Sequence, residues 1–163
     1  MKTLTLTQPW ASLVALGKKR IETRSWRTPY RGPLAIHAAK GFPKWAQETC
    51  FEDPFWAALG AGPISQGTRE RIFKPLLPLG KVIATCRLIS CLPTRELQLD
   101  GEIETDLFAN SENFEMTELE RAFGDYSEGR WAWLLADIMP LAIPVEAKGA
   151  LSLWDWEPGK LSI

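Results

Sequence analysis

Lysine, glutamate and arginine occur at close spacing in the segment GKKRIETR, residues 17–24. Side chains alternate along a strand, which places Arg20, Glu22 and Arg24 on one face. Lys19 lies at the preceding turn, where the alternation need not hold. If Lys19 turns inward, a carboxylate between two cations predicts a net positive site for a phosphate group or a base edge. The alternative is a cross-strand ion-pair ladder worth about 0–1 kcal/mol.

Basic residues continue beyond this segment and alternate with aromatic rings. The bases of single-stranded nucleic acid stack on such rings for about 1–3 kcal/mol each, and cations contact its phosphates. The sequence therefore predicts a nucleic-acid contact surface. Its candidate residues are Lys19, Arg24, Trp26, Arg27, Tyr30, Arg31, His37, Lys40 and Arg130. Alternatively, Trp26 and Tyr30 belong to the core or a turn, and His37, the only histidine, is a hydrogen-bonded structural residue.

Tryptophan is frequent, with eight in the chain. Most of these rings must fill the core, because they are the largest apolar side chains. Four tryptophans are candidates for exposed or ligand-caging positions. They are Trp10, Trp26, Trp131 and Trp133.

Charge is distributed unevenly along the chain. Residues 1–44 carry nine Lys or Arg and a single acid, whereas the remainder carries ten basic and nineteen acidic residues. Such asymmetry favours a polyanionic partner, although folding can also mix the charges into a neutral surface. Within the acidic part, residues 96–128 hold eleven acids and one base. This segment is either a flap that excludes wrong partners from a cleft or a solvated, solubilising excursion.

Length and composition indicate one globular domain covering residues 1–163. No apolar run is long enough to span a membrane, and the N-terminus lacks the apolar region of a signal peptide. Cys50, Cys86 and Cys91 are odd in number and lack C-x-x-C spacing, which predicts free core thiols in the reducing cytoplasm. No nucleotide-cofactor pattern occurs and few metal ligands are present, so we predict no cofactor and no metal.

Hydrophobic periodicity predicts strands separated by irregular segments. The strands are expected at 3–7, 20–26, 33–38, 81–90 and 130–138, with shorter segments at 141–146 and 149–156. Helices are expected at 8–17, over 43–60 with a break at Pro54, and at 117–123 with Thr117 as the N-cap. This spacing does not fit βαβ units, so it favours a closed or partly open antiparallel barrel decorated by helices.

The segment GKKRIETR fits the GxKxxExR signature of the ASCH domain family, a relative of the PUA-like barrels. The flanks LTLTQPWASLVALG, RGPLAIHAAK, GRWAWLL and KGALSLW resemble a bacterial and phage branch of that family. The resemblance implies an α+β fold: a PUA-like antiparallel β-barrel of the ASCH type, decorated by short helices, with insertions near 43–79 and 96–126. It also implies a cleft, lined by Lys19, Glu22 and Arg24, that binds RNA, another single-stranded nucleic acid or a nucleotide-like ligand.

The same resemblance leaves an enzyme as the alternative, with Lys19 and Glu22 as its catalytic residues. Some small ASCH proteins hydrolyse N4-acetylcytidine, and metal-dependent RNA cleavage has been associated with others. The sequence departs from the amidohydrolase pattern because Glu22 stands where those proteins have a threonine, while Thr23 is one residue off. Glu96 is a candidate for their later acid. Glu22 is the only acid of the basic region, and one carboxylate makes a poor Mg²⁺ site.

Overall fold

The structure is a computed structural model that describes residues 1–60, 68, 77–97, 102–103 and 114–159. Its strands are β1 (Lys2–Leu6), β2 (Ile21–Arg24), β3 (Gly32–Ala38), β4 (Lys81–Pro93), β5 (Glu102–Ile103), β6 (Phe114–Glu115), β7 (Trp131–Glu146) and β8 (Leu153–Asp155). Its helices are α1 (Trp10–Ala15), α2 (Lys44–Thr49), α3 (Phe55–Ala58) and α4 (Glu118–Phe123), with a 3₁₀ turn at Thr94–Leu97.

Six strands form one sheet in the order β2-β7-β4-β3-β1-β8, which curls into a half-barrel, and β5 pairs with β6 separately. The α+β, barrel-like fold is therefore confirmed. The prediction of a wholly antiparallel sheet is wrong at one place, because β1 and β3 run parallel. Parallel neighbours need a crossover connection, and the chain between them supplies one that includes α1 and β2.

The strand β7 was expected as separate segments and is instead continuous from Trp131 to Glu146. It pairs with β4 along most of its length, through several register shifts. Its first residues also pair with β2, but β2 reaches only to Leu134. The second half of β7 therefore has a free edge among the described residues, and such an edge tolerates Pro140 and Pro144, which cannot donate to a ladder.

The turn after α1 delivers the chain to the signature segment. Ser12 N donates to the side-chain oxygen of Gln8 at 3.0 Å near the start of this helix. At its end, Gly17 adopts φ 68°. Gly17 N donates to Val14 O and Lys18 N to Leu13 O, as in a glycine-terminated helix. The predicted reversal at Gly17 is confirmed, and it places Lys19 directly before β2.

The largest core cluster lies between α1 and the inner face of the sheet. Its members include Leu4, Val14, Leu88 and Trp133, all fully buried. The three cysteines are free and buried, as predicted. Burial raises the pKa of the Cys50 and Cys86 thiols to about 12, so neither is a reactive thiolate near neutral pH.

The two expected insertions, near 43–79 and 96–126, lie partly outside the described residues and stay predictions. The described part of the first contains α2 and α3, with Pro54 between them as predicted. In the second, Thr117 caps α4 by accepting a hydrogen bond from Glu120 N at 3.1 Å, which confirms the predicted N-cap. None of the helices in the described ranges has the length and hydrophobicity needed to cross a bilayer.

Candidate functional site

The three signature side chains converge around one carboxylate. Lys19 Nζ lies 3.6 Å from Glu22 Oε2, and Arg24 Nη1 lies 3.6 Å from Glu22 Oε1. Strand alternation in β2 puts Glu22 and Arg24 on one face, and the turn at Gly17 brings Lys19 to the same carboxylate. The predicted convergence is therefore present.

Lys19 is not presented at a surface, which corrects the expectation of a jointly exposed triad. Lys19 is fully buried, with 0% of its surface exposed, and its ammonium group donates a hydrogen bond to Ile21 O. A second acid, Glu120 of α4, lies close enough for the Lys19 charge to lower its pKa, although burial dominates and raises it. Lys19 therefore acts as a buried counter-charge to Glu22 and is not part of the protein surface.

The outer edge of β2 is covered by charged side chains. Glu120 accepts hydrogen bonds from Arg20 N at 2.5 Å and Ile21 N at 3.3 Å. Arg130 Nη2 donates to Thr23 O at 3.2 Å, and Lys19 reaches the carbonyl of Ile21. These contacts hold β2 in place from the side opposite β7. Glu120 belongs to the acidic segment 96–128, so part of that segment has a structural role that neither of the two predicted alternatives, a flap or a solvated excursion, included.

A cavity of about 520 Å³, here called the signature cavity, opens beside Glu22 and Arg24. Its other charged lining residues are Asp125 and Arg130. Arg130 Nε donates to Asp125 O at 3.1 Å and lies 3.3 Å from Asp125 Oδ2. Two acids thus balance two arginines, which corrects the expectation of a net positive cleft. An uncharged group with polar edges suits this cavity better than a phosphate does.

Aromatic rings form one wall of the signature cavity. Trp10 and Trp45 both line it, with ring centroids 5.7 Å apart and an interplanar angle of 45°. Trp10 was among the predicted caging tryptophans, but Trp45 and Asp125 were missed. Trp45 is 58% exposed, and the sequence carries no signal for this, because the helical spacing around it resembles that of a core helix.

The connection from β2 to β3 carries the remaining predicted arginines. Residues 25–31, here called the arginine loop, contain two arginines, Arg27 and Arg31, and no acid. Arg24 Cζ lies 5.8 Å from the centroid of Trp26, and Arg27 Cζ lies 5.9 Å from that of Trp131. These are cation–π distances. Among the described residues, no acid lies within 4 Å of the Arg27 or Arg31 guanidinium groups.

Other residues of the loop are held in place. Arg31 Nη1 donates to Thr28 O at 2.9 Å and Tyr30 O at 2.7 Å, which closes the loop. Tyr30 is half-buried, and its hydroxyl donates to Pro33 O. Trp26 is half-buried against the core. Its ring centroid lies 4.7 Å from that of Trp133, which is fully buried. The prediction of an exposed or caging role for Trp133 is therefore wrong, because this ring fills the half-barrel.

His37 and Lys40 were predicted to join the same surface, but they line a different cavity. This lysine cavity, of about 360 Å³, is also lined by Thr5 and Lys148. His37 is buried, with Nε2 donating to Ala147 O at 3.1 Å. Burial lowers the pKa of His37, and the hydrogen bond to Ala147 opposes that shift. The structural alternative for His37 fits this environment.

The signature cavity presents hydrogen-bonding side chains and aromatic rings. Within the described ranges, no cluster of three or more His, Cys, Asp or Glu side chains is arranged to hold a metal ion. Lys19 does not line the cavity, so its position does not support direct contact with a substrate, as the hydrolase alternative requires. Glu22 lines it and supplies hydrogen-bond acceptors.

Comparison with known proteins places these features in a wider group. The family model of the ASCH domain matches residues 4–142, which include most of β1, all of β2 to β4 and α4, and most of β7. Activating signal cointegrator 1 of mouse (Mus musculus) is 36% identical over 95 residues, and its human (Homo sapiens) counterpart is 32% identical over 95 residues. Each match covers 58% of this chain but only 15% of the relative. Because these relatives are mammalian, the assignment to a bacterial and phage branch is not borne out.

Proposed function

The chain belongs to the ASCH domain family, and from this premise we propose that it binds single-stranded RNA. The arginine loop contacts the phosphates, and the signature cavity receives a base. The observation that carries the proposal is the separation of charge between these two neighbouring parts. The loop has Arg27 and Arg31 without an acid, whereas the cavity has balanced charges and an aromatic wall.

The separation matches the chemistry of a nucleotide. Phosphates carry the negative charge and need unneutralised cations, which Arg27 supplies at the protein surface. Bases are uncharged, present hydrogen-bonding edges and stack on aromatic rings. Trp10 and Trp45 offer rings for such stacking, and Trp131 offers a further ring beside Arg27.

Two other properties belong to the same proposal. A free nucleotide-like ligand would use the same cavity, and competition between a mononucleotide and RNA would reveal it. We also infer a cytoplasmic location. It is supported by the three cysteines, which are free and buried, because free thiols are typical of a reducing compartment. The activity of the mammalian relatives as whole proteins is not carried over, because the chain spans 15% of their length.

Fluorescence anisotropy with a labelled eight-nucleotide RNA, titrated over a series of salt concentrations, tests the proposal. We expect affinity to fall steeply with salt, because phosphate contacts release counterions. Arg27→Ala should lower the slope of log K against log salt by about 0.7, the contribution of one phosphate contact on a single strand. Arg27→Lys, which keeps the charge, should restore most of that slope.

The matched control is Lys148→Ala, which removes one exposed cation from the lysine cavity. It should leave the slope unchanged. Binding that does not respond to salt, or no binding at all, would remove the proposal. An equal loss in Arg27→Ala and Lys148→Ala would move the phosphate path away from the arginine loop.

A further inference from the structure

We propose that the signature cavity selects guanine, and that Glu22 is the residue that determines this specificity. The inference rests on the proposed function and adds a base preference to it. It follows from the hydrogen-bonding groups that line the cavity and from what remains open on the Glu22 carboxylate.

The Glu22 carboxylate is held in place but retains acceptor capacity. The residue is 6% exposed and lines the signature cavity. Its two cationic neighbours each stand 3.6 Å away, which is beyond hydrogen-bond distance. Among the described residues, none donates a hydrogen bond to this carboxylate. A ligand that brings two adjacent donors would fill that capacity, which is costly to leave unfilled in a buried group.

Guanine is the base whose edge presents two adjacent donors. Its ring N1–H and its N2 amino group point the same way and match the two oxygens of one carboxylate. Adenine and cytosine each place one amino group beside a ring nitrogen that accepts. Uracil has a single N–H between two carbonyl oxygens. In each of these three bases, a carboxylate that accepts from the N–H group would place its second oxygen against an acceptor of the base. The repulsion between the two acceptors disfavours these bases.

Arg24 completes the match. The third group on the guanine edge is the O6 carbonyl, which accepts hydrogen bonds and lies next to N1–H. Arg24 Nη1 stands 3.6 Å from Glu22 Oε1, so a donor lies directly beside the acceptors. Arg24 is also fixed from behind by the ring of Trp26. The order of acceptor, acceptor and donor along the cavity is thus complementary to the guanine edge.

The rest of the cavity suits a flat ring. Its volume of about 520 Å³ falls within the range of small-ligand sites, about 300–1,000 Å³. Trp10 and Trp45 supply an aromatic wall, and Arg130 is anchored on the opposite chain segment by Asp125. Arg130 also donates to Thr23 O, next to Glu22 in β2, which holds this part of the strand in place before a ligand binds.

The test uses five labelled RNAs of eight nucleotides that differ at one central position in a uridine background. The central base is guanine, hypoxanthine, adenine, cytosine or uracil, and a single guanine avoids four-stranded assemblies. Titrations at one low salt concentration should give about tenfold tighter binding for guanine than for adenine, cytosine or uracil. Hypoxanthine keeps N1–H and O6 but lacks the N2 amino group, so its affinity should fall between these limits.

The protein variants assign the preference to one carboxylate. Glu22→Gln should reduce the preference for guanine to less than about threefold, because an amide replaces one acceptor by a donor. Its control is Glu146→Gln, the same change at an exposed acid that lies at the far end of β7 and does not line the cavity, which should keep the preference. If Glu22→Gln does not fold, the ratio between guanine and hypoxanthine on the unaltered chain still decides whether the protein prefers guanine through its N2 amino group.

The outcomes separate the two proposals. Salt-dependent binding with equal affinity for all five RNAs would overturn the guanine preference and leave the proposed function standing. A preference that survives in folded Glu22→Gln would overturn the assignment to Glu22. No binding of any of the five RNAs would overturn the proposed function itself.

Discussion

The signature cavity is lined by two arginines and two acids, whereas the lysine cavity is lined by two lysines and the buried His37, with no acid. Thr5 and Leu6 line the lysine and signature cavities respectively. Because they are successive residues of β1, the cavities lie on opposite faces of that strand. Both regions are concave, yet the first holds its charges in fixed pairs, whereas no acid among the described residues pairs with the lysines of the second.

The difference concerns how each region can discriminate between ligands. A charge held by a neighbour presents its hydrogen-bonding groups in a known direction, so it can reject a ligand with the wrong edge. An exposed lysine is a mobile point charge that attracts any anion. Lys40 and Lys148 are exposed, and no acid among the described residues lies within 4 Å of either.

Lys19 gives the largest test of this contrast. Lys19→Ala should lower the free energy of unfolding by about 3–5 kcal/mol, because it removes a fully buried cation that lies beside two buried acids, Glu22 and Glu120. Lys148→Ala at the lysine cavity should change it by less than about 0.5 kcal/mol. Urea unfolding of both variants measures this. Equal losses of unfolding free energy in Lys19→Ala and Lys148→Ala would show that ion pairing does not distinguish the two cavities.

A pair of glycines offers a smaller test, with one glycine at each cavity. A Cβ added at Gly124 would meet Tyr126 Cε2 at 2.7 Å, and one at Gly149 would meet His37 Cε1 at 2.5 Å. Gly124→Ala and Gly149→Ala should each destabilise the fold by about 1–3 kcal/mol, because a packed ring must shift.

Only Gly124→Ala should also weaken RNA binding, because Gly124 lines the signature cavity. Thermal unfolding and anisotropy together report the two effects. Gly41→Ala is the control, since a Cβ there would meet nothing within 4 Å. If Gly149→Ala impaired RNA binding to the same extent, the binding site would not be confined to one face of β1.

The smallest test uses pH. The contributions of His37, at the lysine cavity, and of Glu120, beside β2, to the free energy of unfolding should change with pH in opposite directions. The folded state lowers the pKa of His37 below 6.5, so it binds fewer protons than the unfolded chain and stability falls as pH drops below 6.5. The folded state raises the pKa of Glu120 above 4.5, so it binds more protons and stability falls as pH rises above 4.5.

Unfolding free energies measured between about pH 4 and pH 8 for the unaltered chain and two variants resolve these contributions. His37→Gln should remove the loss below 6.5, and Glu120→Gln should remove the loss above 4.5. A His37→Gln profile that runs parallel to that of the unaltered chain would contradict the buried, neutral state of this ring.

Local patterns carried most of the fold prediction. Alternation predicted β4, the glycine at position 17 predicted the end of α1, and Thr117 predicted the start of α4. These signals depend on residues that are close in sequence. The parallel pairing of β1 with β3 left no such signal, because it depends on where the intervening chain crosses the sheet.

The site was predicted less completely, for the same reason. The convergence on Glu22 follows from the spacing of three neighbouring residues, and the family signature points to it directly. The burial of Lys19 depends on the folded chain around it, which also brings Glu120, 101 positions away, close enough for the lysine charge to lower its pKa. Closeness in sequence also grouped His37 with Arg31, whereas β3 carries the chain to a different cavity.

The covering of β2 by side chains has a consequence for self-association. A strand at the end of a sheet normally offers its backbone as a template for another copy of the chain, which is a route to aggregation. Here Lys19, Glu120 and Arg130 occupy backbone groups that an incoming strand would need. The charges that shape the ligand site therefore also act as gatekeepers that keep neighbouring copies of the protein from extending the sheet.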